Sequence, residues 1–186
     1  MTNLSYPFSE KAVRALKAGE AVSITGRIYT GRDKFHKFFA EGGKPPVDFR
    51  DGALYHCGPV VVGDRVVAAG PTTSVRENEY EPDFIAKTGV RIVIGKGGMD
   101  AQTLAAMKRH GCVYVQAVGG GGAIYGAAVK KVAGVSLLKE FGAAEAVWHF
   151  DVVDFRGVVA MDAHGCSLFE TVRVGSEKKV RKLIGK

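Results

Sequence analysis

Two short segments of the chain each place a cationic side chain beside glycines, directly after an apolar run. One segment reads GPTTSVR at 70–76, and the other reads GKGG at 95–98. Apolar runs rich in Val and Ile that stop at Gly or Pro are typical of buried strands, and ligands of open α/β sheets bind beyond the carboxyl ends of the strands. We therefore expect two hydroxyls and two cations to meet at one mouth, namely Thr72, Thr73, Arg76 and Lys96. Such a set suits a small substrate with two carboxylates.

A second candidate cluster lies at the start of a predicted helix. Arg32 and His36 are one helical turn apart and share a face of that helix. Asp33 occupies the first turn, where an acidic side chain is favourable. The alternative is an ordinary stabilised helix start with no role in binding. The sequence leaves both interpretations open for Arg32 and favours the structural one for His36.

Four consecutive glycines, 119–122, follow the strand predicted at 112–118. The backbone N–H groups of such a run can bind an anion. However, the run lacks the GxxxxGK[ST] spacing, and no acidic residue completes a dinucleotide-binding fingerprint. We expect a tight turn or a close subunit contact, and the alternative is that a substrate approaches these amides.

The cysteines and histidines show no metal-binding pattern. Cys57, Cys112 and Cys166 are far apart and form no CxxC or CxxxC motif, and the five histidines have no metal-ligand spacing. This favours packed or near-surface thiols over cluster ligands, and a reducing compartment over a disulfide framework. Because no secretion-type segment and no long apolar run are present, we expect a cytoplasmic protein.

Length and composition indicate a single globular domain over 1–186. A chain of 186 residues with 46% hydrophobic and 24% charged residues is able to bury a core of its own. The net charge is +7, and the tail 176–186 holds five basic residues and one acid. A solvated terminal helix explains this tail. The alternative is a non-enzymatic module that binds nucleic acid through it.

The centre of the chain alternates between strand and helix patterns. Strand, helix and strand at 90–95, 100–110 and 112–118 favour a parallel pair with a right-handed crossover. The later runs 146–152 and 157–162 look like strands with no helix between them. We therefore predict an α/β fold whose mixed sheet has a parallel centre flanked by helices. The remaining predictions are helices over 10–17, from 30–33 and from Pro82, and a strand over 21–26 that leads into a turn.

Taken together, these motifs resemble the β subunit of class I (iron–sulfur) fumarate hydratase and L-tartrate dehydratase. They are equally similar to the C-terminal domain of single-chain class I fumarases. The motifs that carry the resemblance are GRDxxH at 31–36, YxCGP at 55–59, GPTTxxR at 70–76, GKGG at 95–98 and the glycine run at 119–122. Their order and spacing are specific as a set, and the tail lies outside the pattern.

The resemblance implies a swivelling β/β/α fold and a hydro-lyase that is active only with a partner. The implied reaction is the reversible hydration of fumarate to L-malate, and the alternative is the dehydration of L-tartrate. The implied partner is an α subunit, in an α2β2 assembly, that carries a [4Fe–4S] cluster. The unliganded iron of that cluster would bind the substrate hydroxyl as a Lewis acid, so the cysteines of the present chain would not be its ligands.

The resemblance also implies roles for the candidate residues. Arg32 and Arg76 would bind the carboxylates together with Lys96, since fixed cations stabilise the charge that builds when a proton is removed beside a carboxylate. Thr72 would transfer that proton, with Lys96 or Arg76 stabilising its alkoxide. Thr72 and Lys96 are thus the expected catalytic residues, and Thr73 is expected to hydrogen-bond a carboxylate.

One position departs from the family pattern. The relatives usually carry a small residue and a Gly between the threonines and the arginine, where this chain has Ser74 and Val75. The departure predicts a differently shaped pocket and an altered choice of substrate.

Overall fold

The computed structural model describes residues 1–185 and consists of one large mixed sheet, a small ribbon and seven α-helices within that range. The strands are β1 Thr2–Ser5, β2 Ala21–Thr30, β3 Ala53–Tyr55, β4 Val60–Val62, β5 Arg65–Ala68, β6 Ile92–Gly95, β7 Val113–Gln116, β8 Val129–Ser136 and β9 Val147–Met161. The helices are α1 Glu10–Ala15, α2 Asp33–Ala40, α3 Glu81–Thr88, α4 Ala101–His110, α5 Gly122–Ala128, α6 Leu138–Phe141 and α7 Leu168–Leu183, with a 3₁₀ helix at Ser74–Glu77.

The large sheet has the strand order β1-β2-β3-β6-β7-β9-β8, and β2 also pairs with β9. The pairs among β1, β2, β3, β6 and β7 are parallel, whereas β9 is antiparallel to β2, β7 and β8. This confirms the predicted mixed sheet with a parallel centre. Because β9 returns to β2, the sheet closes into a ring of five strands, whereas the sequence pattern suggested an open sheet.

Alternate residues of the central strands face two separate hydrophobic clusters. On β6, Ile92 and Ile94 pack with α1 and α5, whereas Val93 packs with α2, α3 and α4. Successive side chains of a strand point to opposite faces, and a sheet covered on both faces needs apolar residues on both. This explains why β6 is a continuous apolar run. Since both faces of the sheet are covered, polar residues can gather only beyond the carboxyl ends of strands such as β3 and β6.

The predicted βαβ unit is confirmed, and local signals explain its boundaries. The Asp100 side chain accepts a hydrogen bond from the Thr103 N–H at 2.8 Å and caps α4. Gly111 ends the helix in the left-handed region with φ 69°. A side-chain acceptor at the start and a glycine past the end are the features that fix a helix without tertiary help.

Three strand predictions need correction, one in its place in the fold and two in their bounds. The run before Gly70 is not a buried strand of the main sheet: within residues 1–185, β5 pairs only with β4 in a ribbon, and its residues alternate between exposed and half-buried. The runs 146–152 and 157–162 belong to one continuous strand, β9, and its partner β2 pairs with residues of both runs, from His149 to Val158. Likewise, the strand predicted at 21–26 does not turn at Gly26 but continues to Thr30.

The basic tail forms the second half of α7, whose residues are half-buried or exposed, as expected for a solvated terminal helix. Arg173 in this helix pairs with Glu170 and Glu177. Lys186 lies outside the described residues. None of the helices within 1–185 is long and apolar enough to cross a membrane.

Gly26 lies next to a bulge in the partner strand β9, where two residues of β9 oppose one of β2, and not at the predicted turn. Its φ is +119°, the pairing with β9 shifts register between Ile24 and Gly26, and a Cβ at this position would lie 2.5 Å from Tyr6 Cβ. A bulge of this kind lets a strand bend while it keeps both neighbours.

We expect Gly26→Ala to destabilise the fold by about 2 kcal/mol more than Gly19→Ala in urea unfolding. Gly19 is the matched control because it also has a positive φ (+101°) but has no atom within 4 Å of its Cβ position. The two variants share the backbone cost, so the difference measures the clash with Tyr6. Equal losses would show that the contact with Tyr6 is not limiting.

Candidate active site

Residues 72–74 of the GPTTxxR motif are attached by backbone hydrogen bonds to the carboxyl ends of two sheet strands. The Thr72 N–H donates to the His56 carbonyl at 2.7 Å, just beyond β3, and the Lys96 N–H donates to the Thr72 carbonyl at 3.1 Å, just beyond β6. The Ser74 N–H then donates to the Lys96 carbonyl at 2.9 Å. These three bonds bring Thr72, Thr73 and Lys96 together beyond the carboxyl ends of two parallel strands, where the sequence predicted a shared mouth.

Thr72 and Lys96 present polar groups that the described residues leave free. Thr72 Oγ1 is buried and has no hydrogen-bond partner within 1–185. The Lys96 ammonium forms no ion pair with a described carboxylate, and its stem passes Gly119, where a Cβ would lie 3.5 Å from Lys96 Cδ. The glycine run therefore borders the candidate site, and Gly121 begins α5 as its N-cap.

The two arginines meet through one carboxylate. Asp33 Oδ2 lies 3.1 Å from Arg76 Nη2 and 3.8 Å from Arg32 Nη2. Arg32 also lies 3.3 Å from a Glu145 carboxylate oxygen and donates to the Ala144 carbonyl, while its buried Nε has no partner among the described residues. The chain thus brings Arg32, Asp33 and Arg76 together, as the two sequence motifs allow.

Arg32 depends on a glycine for its position. A Cβ at Gly58 would clash with Arg32 Nη1 and would lie 2.7 Å from the Ala144 carbonyl oxygen. Gly58 follows Cys57, which pairs with Pro71 in an antiparallel bridge. The YxCGP motif therefore joins the Arg32 region to the residue that precedes Thr72.

The structure places His36 in the core behind Arg32. Its side chain is fully buried, and Nε2 lies 3.0 Å from Glu81 Oε2. His56 Nε2 lies 3.1 Å from the same oxygen, and His56 Nδ1 lies 2.8 Å from Ser74 Oγ. Ser74 Oγ in turn lies 2.9 Å from the Tyr114 hydroxyl.

Four members of this buried network were not predicted as site residues: His56, Ser74, Glu81 and Tyr114. The available signals were that His56 directly follows β3 and that Glu81 occupies the first turn of α3. Neither signal distinguishes a functional residue from an ordinary one. Ser74 is fully buried, so it cannot shape the pocket directly as the sequence departure predicted, whereas Val75 is 52% exposed.

The network shifts the pKa values of its members in different directions. For Glu81, burial favours the neutral acid, but hydrogen bonds from His36 and His56 outweigh it and lower the pKa to about 2. For His36, burial opposes the charged form, yet the Glu81 carboxylate raises the pKa above its ordinary value. For His56, burial dominates and the pKa is lowered.

Glu77 is a second buried carboxyl in the same region. Both of its oxygens are without a hydrogen-bond partner among the described residues, and Oε2 lies 3.6 Å from His36 Nδ1. Burial raises its pKa to about 7, although His36 acts in the opposite direction. A neutral acid is the less costly form for a buried group that no donor contacts.

We expect Glu77 to lower stability as pH rises from about 4.5 to about 7. Its pKa is higher in the folded than in the unfolded chain, so its contribution is present below pH 4.5 and is lost as pH rises through 7, by about 3 kcal/mol in total. Glu77→Gln should remove this part of the decline in pH-dependent urea unfolding. The control is Glu79→Gln at a neighbouring exposed position, and an unchanged slope in Glu77→Gln would contradict the assignment.

The described residues do not provide an iron–sulfur site. All three cysteines are free thiols: Cys57 and Cys112 are buried, and Cys166 is exposed. Burial raises the pKa of Cys57 to about 12 and that of Cys112 further, which opposes the thiolate form that a cluster needs. Within residues 1–185, the one group of His, Cys, Asp and Glu with ligand atoms within 4.8 Å of one another is His36, His56 and Glu81. Hydrogen bonds account for their contacts, so we assign no metal to them.

Comparison with known proteins identifies the family of this chain. A family model described as Fumarase C-terminus matches residues 1–172. The chain belongs to this family. The resemblance inferred from the motifs is therefore confirmed, and it extends over nearly the whole chain.

Three relatives show how the chain relates to longer and shorter proteins. A putative fumarate hydratase class I of Geobacillus stearothermophilus is 48% identical over 182 residues, which cover 95% of this chain and 35% of that protein. A putative L(+)-tartrate dehydratase subunit beta of Methanocaldococcus jannaschii is 39% identical over 98% of this chain and 100% of that protein. The L(+)-tartrate dehydratase subunit beta of Escherichia coli K12 is 31% identical over 95% and 90%, respectively. The chain thus spans about a third of the first relative and nearly all of the other two.

Proposed function

We propose that this chain is the β subunit of a two-subunit hydro-lyase that interconverts fumarate and L-malate. The observation that carries the proposal is the hydrogen-bonded segment 72–74, which holds two threonine hydroxyls and Lys96 beyond the ends of β3 and β6. The arginine pair around Asp33 adds two more cations. Cations and hydroxyls in this number suit a small dicarboxylate.

L-tartrate is the second candidate substrate, because two of the relatives above are named tartrate dehydratase subunits. Fumarate and malate are favoured by the higher identity to the putative fumarate hydratase, 48% against 39% and 31%. Both substrate pairs carry two carboxylates, so the cations alone do not distinguish them.

In the proposed reaction, the cations of this chain hold the substrate carboxylates. Arg32 and Arg76 bind by charge-assisted hydrogen bonds. Removal of the proton beside a carboxylate then builds negative charge on that carboxylate, and fixed cations stabilise this charge without reorganising. Asp33 keeps the two guanidinium groups together and balances their charge when substrate is absent.

Thr72 is the proposed proton-transfer group. Its buried Oγ1 has no partner among the described residues, so the oxygen is available to a bound substrate. A threonine hydroxyl is a weak base in water, and it needs a nearby cation to stabilise its alkoxide. Lys96 is the proposed cation, because its backbone pairs with residues 72–74 and no described carboxylate neutralises it. Thr73 is proposed to hydrogen-bond a carboxylate.

The partner is proposed to be an α subunit that carries a [4Fe–4S] cluster, in an α2β2 assembly. The cysteines of this chain do not fit such a cluster, because they are far apart in sequence and two of them, Cys57 and Cys112, are buried with raised pKa values. Free cysteines without a disulfide pattern favour a reducing compartment, so we place the reaction in the cytoplasm.

The experiment that tests the proposal is an anaerobic assay of the full chain with its cognate α subunit, offered L-malate, fumarate and L-tartrate in parallel. Turnover by the mixture and by neither subunit alone would support a split hydro-lyase, and the preferred substrate would decide between the two candidates. A stable complex with an intact cluster but no turnover of any of the three would contradict it.

We expect Arg76→Ala to lower kcat/KM about 100-fold or more in the complex, because the loss removes a carboxylate-binding cation and leaves Asp33 with Arg32 as its remaining cationic neighbour. The Arg76–Asp33 pair is 44% exposed on both sides, so folding stability should change by less than about 1 kcal/mol. Arg76→Lys is the matched control, since it keeps the charge and should retain more activity. Full activity of Arg76→Ala would remove the assigned role.

Thr72→Val and Thr72→Ser form a second matched pair. Valine removes the hydroxyl at nearly constant shape and should reduce kcat by about 100-fold or more, whereas serine keeps the hydroxyl and should stay within about tenfold of the unaltered complex. Steady-state kinetics of both complexes measures the difference. Equal kcat values for the two variants would mean that the hydroxyl takes no part in proton transfer.

A further inference from the structure

We propose that His36, Glu81 and His56 are positioning residues, a buried hydrogen-bonded network that fixes Arg32 at one end and the Thr72–Ser74 segment at the other. The inference rests on the proposed function, because it assigns these residues to the same site. None of the three lies at the mouth, so they act through the residues that do.

At the first end, His36 fixes the peptide group of Arg32 twice. Its backbone N–H donates to the Arg32 carbonyl at 3.0 Å, and its ring Nδ1 lies 2.9 Å from the same oxygen. Arg32 is the N-cap of α2 and has no side-chain capping bond of its own. The two donors of His36 therefore set the direction in which the Arg32 side chain leaves the helix.

At the other end, Ser74 is held on both sides. Its N–H donates to the Lys96 carbonyl, and its Oγ contacts His56 Nδ1 at 2.8 Å and the Tyr114 hydroxyl at 2.9 Å. Gly95 makes room for this arrangement, since a side chain there would clash with Ser74 Oγ. Ser74 directly follows the two threonines, so its anchoring fixes the backbone that presents them.

One assignment of donors and acceptors satisfies every hydrogen bond of this network. The Arg32 carbonyl can only accept, so His36 Nδ1 carries a proton, and Nε2 donates to Glu81 Oε2 if Glu81 is ionised. His56 Nε2 donates to the same oxygen, which leaves His56 Nδ1 to accept from Ser74. In this arrangement His36 is an imidazolium, Glu81 a carboxylate and His56 neutral.

Charge balance supports this assignment. The groups that face His36 are Glu81 from α3, Glu77 from the 3₁₀ helix and the His56 ring, whose centroid is 5.2 Å away. Glu77 is neutral below about pH 7, so Glu81 is the counter-ion of His36. The raised pKa of His36 and the lowered pKa values of His56 and Glu81 agree in direction. A buried charge is tolerated when it is paired and hydrogen-bonded in this way.

Two variants of His36 separate its two hydrogen bonds. In His36→Asn the amide nitrogen can replace Nδ1 and still donate to the Arg32 carbonyl, whereas in His36→Gln it can replace Nε2 and donate to Glu81 only. In the complex with the α subunit, His36→Gln should raise KM for L-malate by about tenfold or more with little change in kcat. His36→Asn should largely restore KM.

The opposite end should give the opposite kinetic result. Ser74→Ala breaks the link from His56 to the threonine segment, so kcat should fall by about tenfold or more while KM changes little. His164→Gln is the control for both ends, because His164 is exposed and should leave both constants unchanged. If kcat fell and KM rose together in all core variants, in proportion to the fall in their unfolding temperatures, the role of these residues would be merely structural. That result would overturn the inference.

The charge state can be measured in the unaltered full chain, without any variant having to fold. With ¹⁵N-labelled histidine, an imidazolium shows two similar ring-nitrogen shifts, and a neutral ring shows two widely separated ones. We expect His36 to be doubly protonated and His56 neutral at pH 7. Two neutral rings, or a stoichiometric metal ion found in the purified chain, would overturn the network. No turnover by the unaltered complex would instead overturn the proposed function, and the positioning role with it.

Discussion

The candidate site depends on three backbone hydrogen bonds that attach residues 72–74 to the ends of β3 and β6. This segment is not a strand of the sheet, and the ribbon before it pairs with no other strand in the part of the chain that the structure describes. Without those bonds, the two threonines would belong to an exposed loop. With them, a buried hydroxyl and a lysine are held at the edge of a rigid parallel sheet, which is the arrangement that a site for a small polar ligand needs.

The same attachment explains why charged residues lie in the core behind the site. A segment added to a sheet from outside needs side-chain anchors, since its backbone forms few ladder bonds. Ser74 provides that anchor from beneath, and it reaches polar partners only because His56 and Tyr114 are buried beside it. Burying these groups is costly unless each finds a partner. Glu81 serves two histidines at once, and this shared acceptor connects the arginine and threonine segments of the site.

Local signals predicted part of the fold well. The capping residues Asp100 and Gly111 and the continuous apolar run of β6 were sufficient for the βαβ unit, because each depends on neighbours within a few residues. The same reasoning misplaced β5, divided β9 into two strands and expected a turn after Gly26. Strand identity there is decided by pairing with residues far along the chain, which propensity does not contain. Closure of the sheet through β2 and β9 is likewise a property of the tertiary fold.

The sequence by itself determined the family, since the motifs around Arg32, Thr72, Arg76 and Lys96 keep their order and spacing. It also indicated that the end of one central strand, β6, carries Lys96, whereas the run before Gly70 is not a strand of the main sheet. Only the tertiary structure decided which polar residues are buried. From the sequence, Ser74 and Glu77 resemble ordinary turn residues, and His56 resembles any residue that follows a strand. Burial and the protonation states that follow from it depend on desolvation and on partners that are remote in sequence, and only the folded chain brings those together.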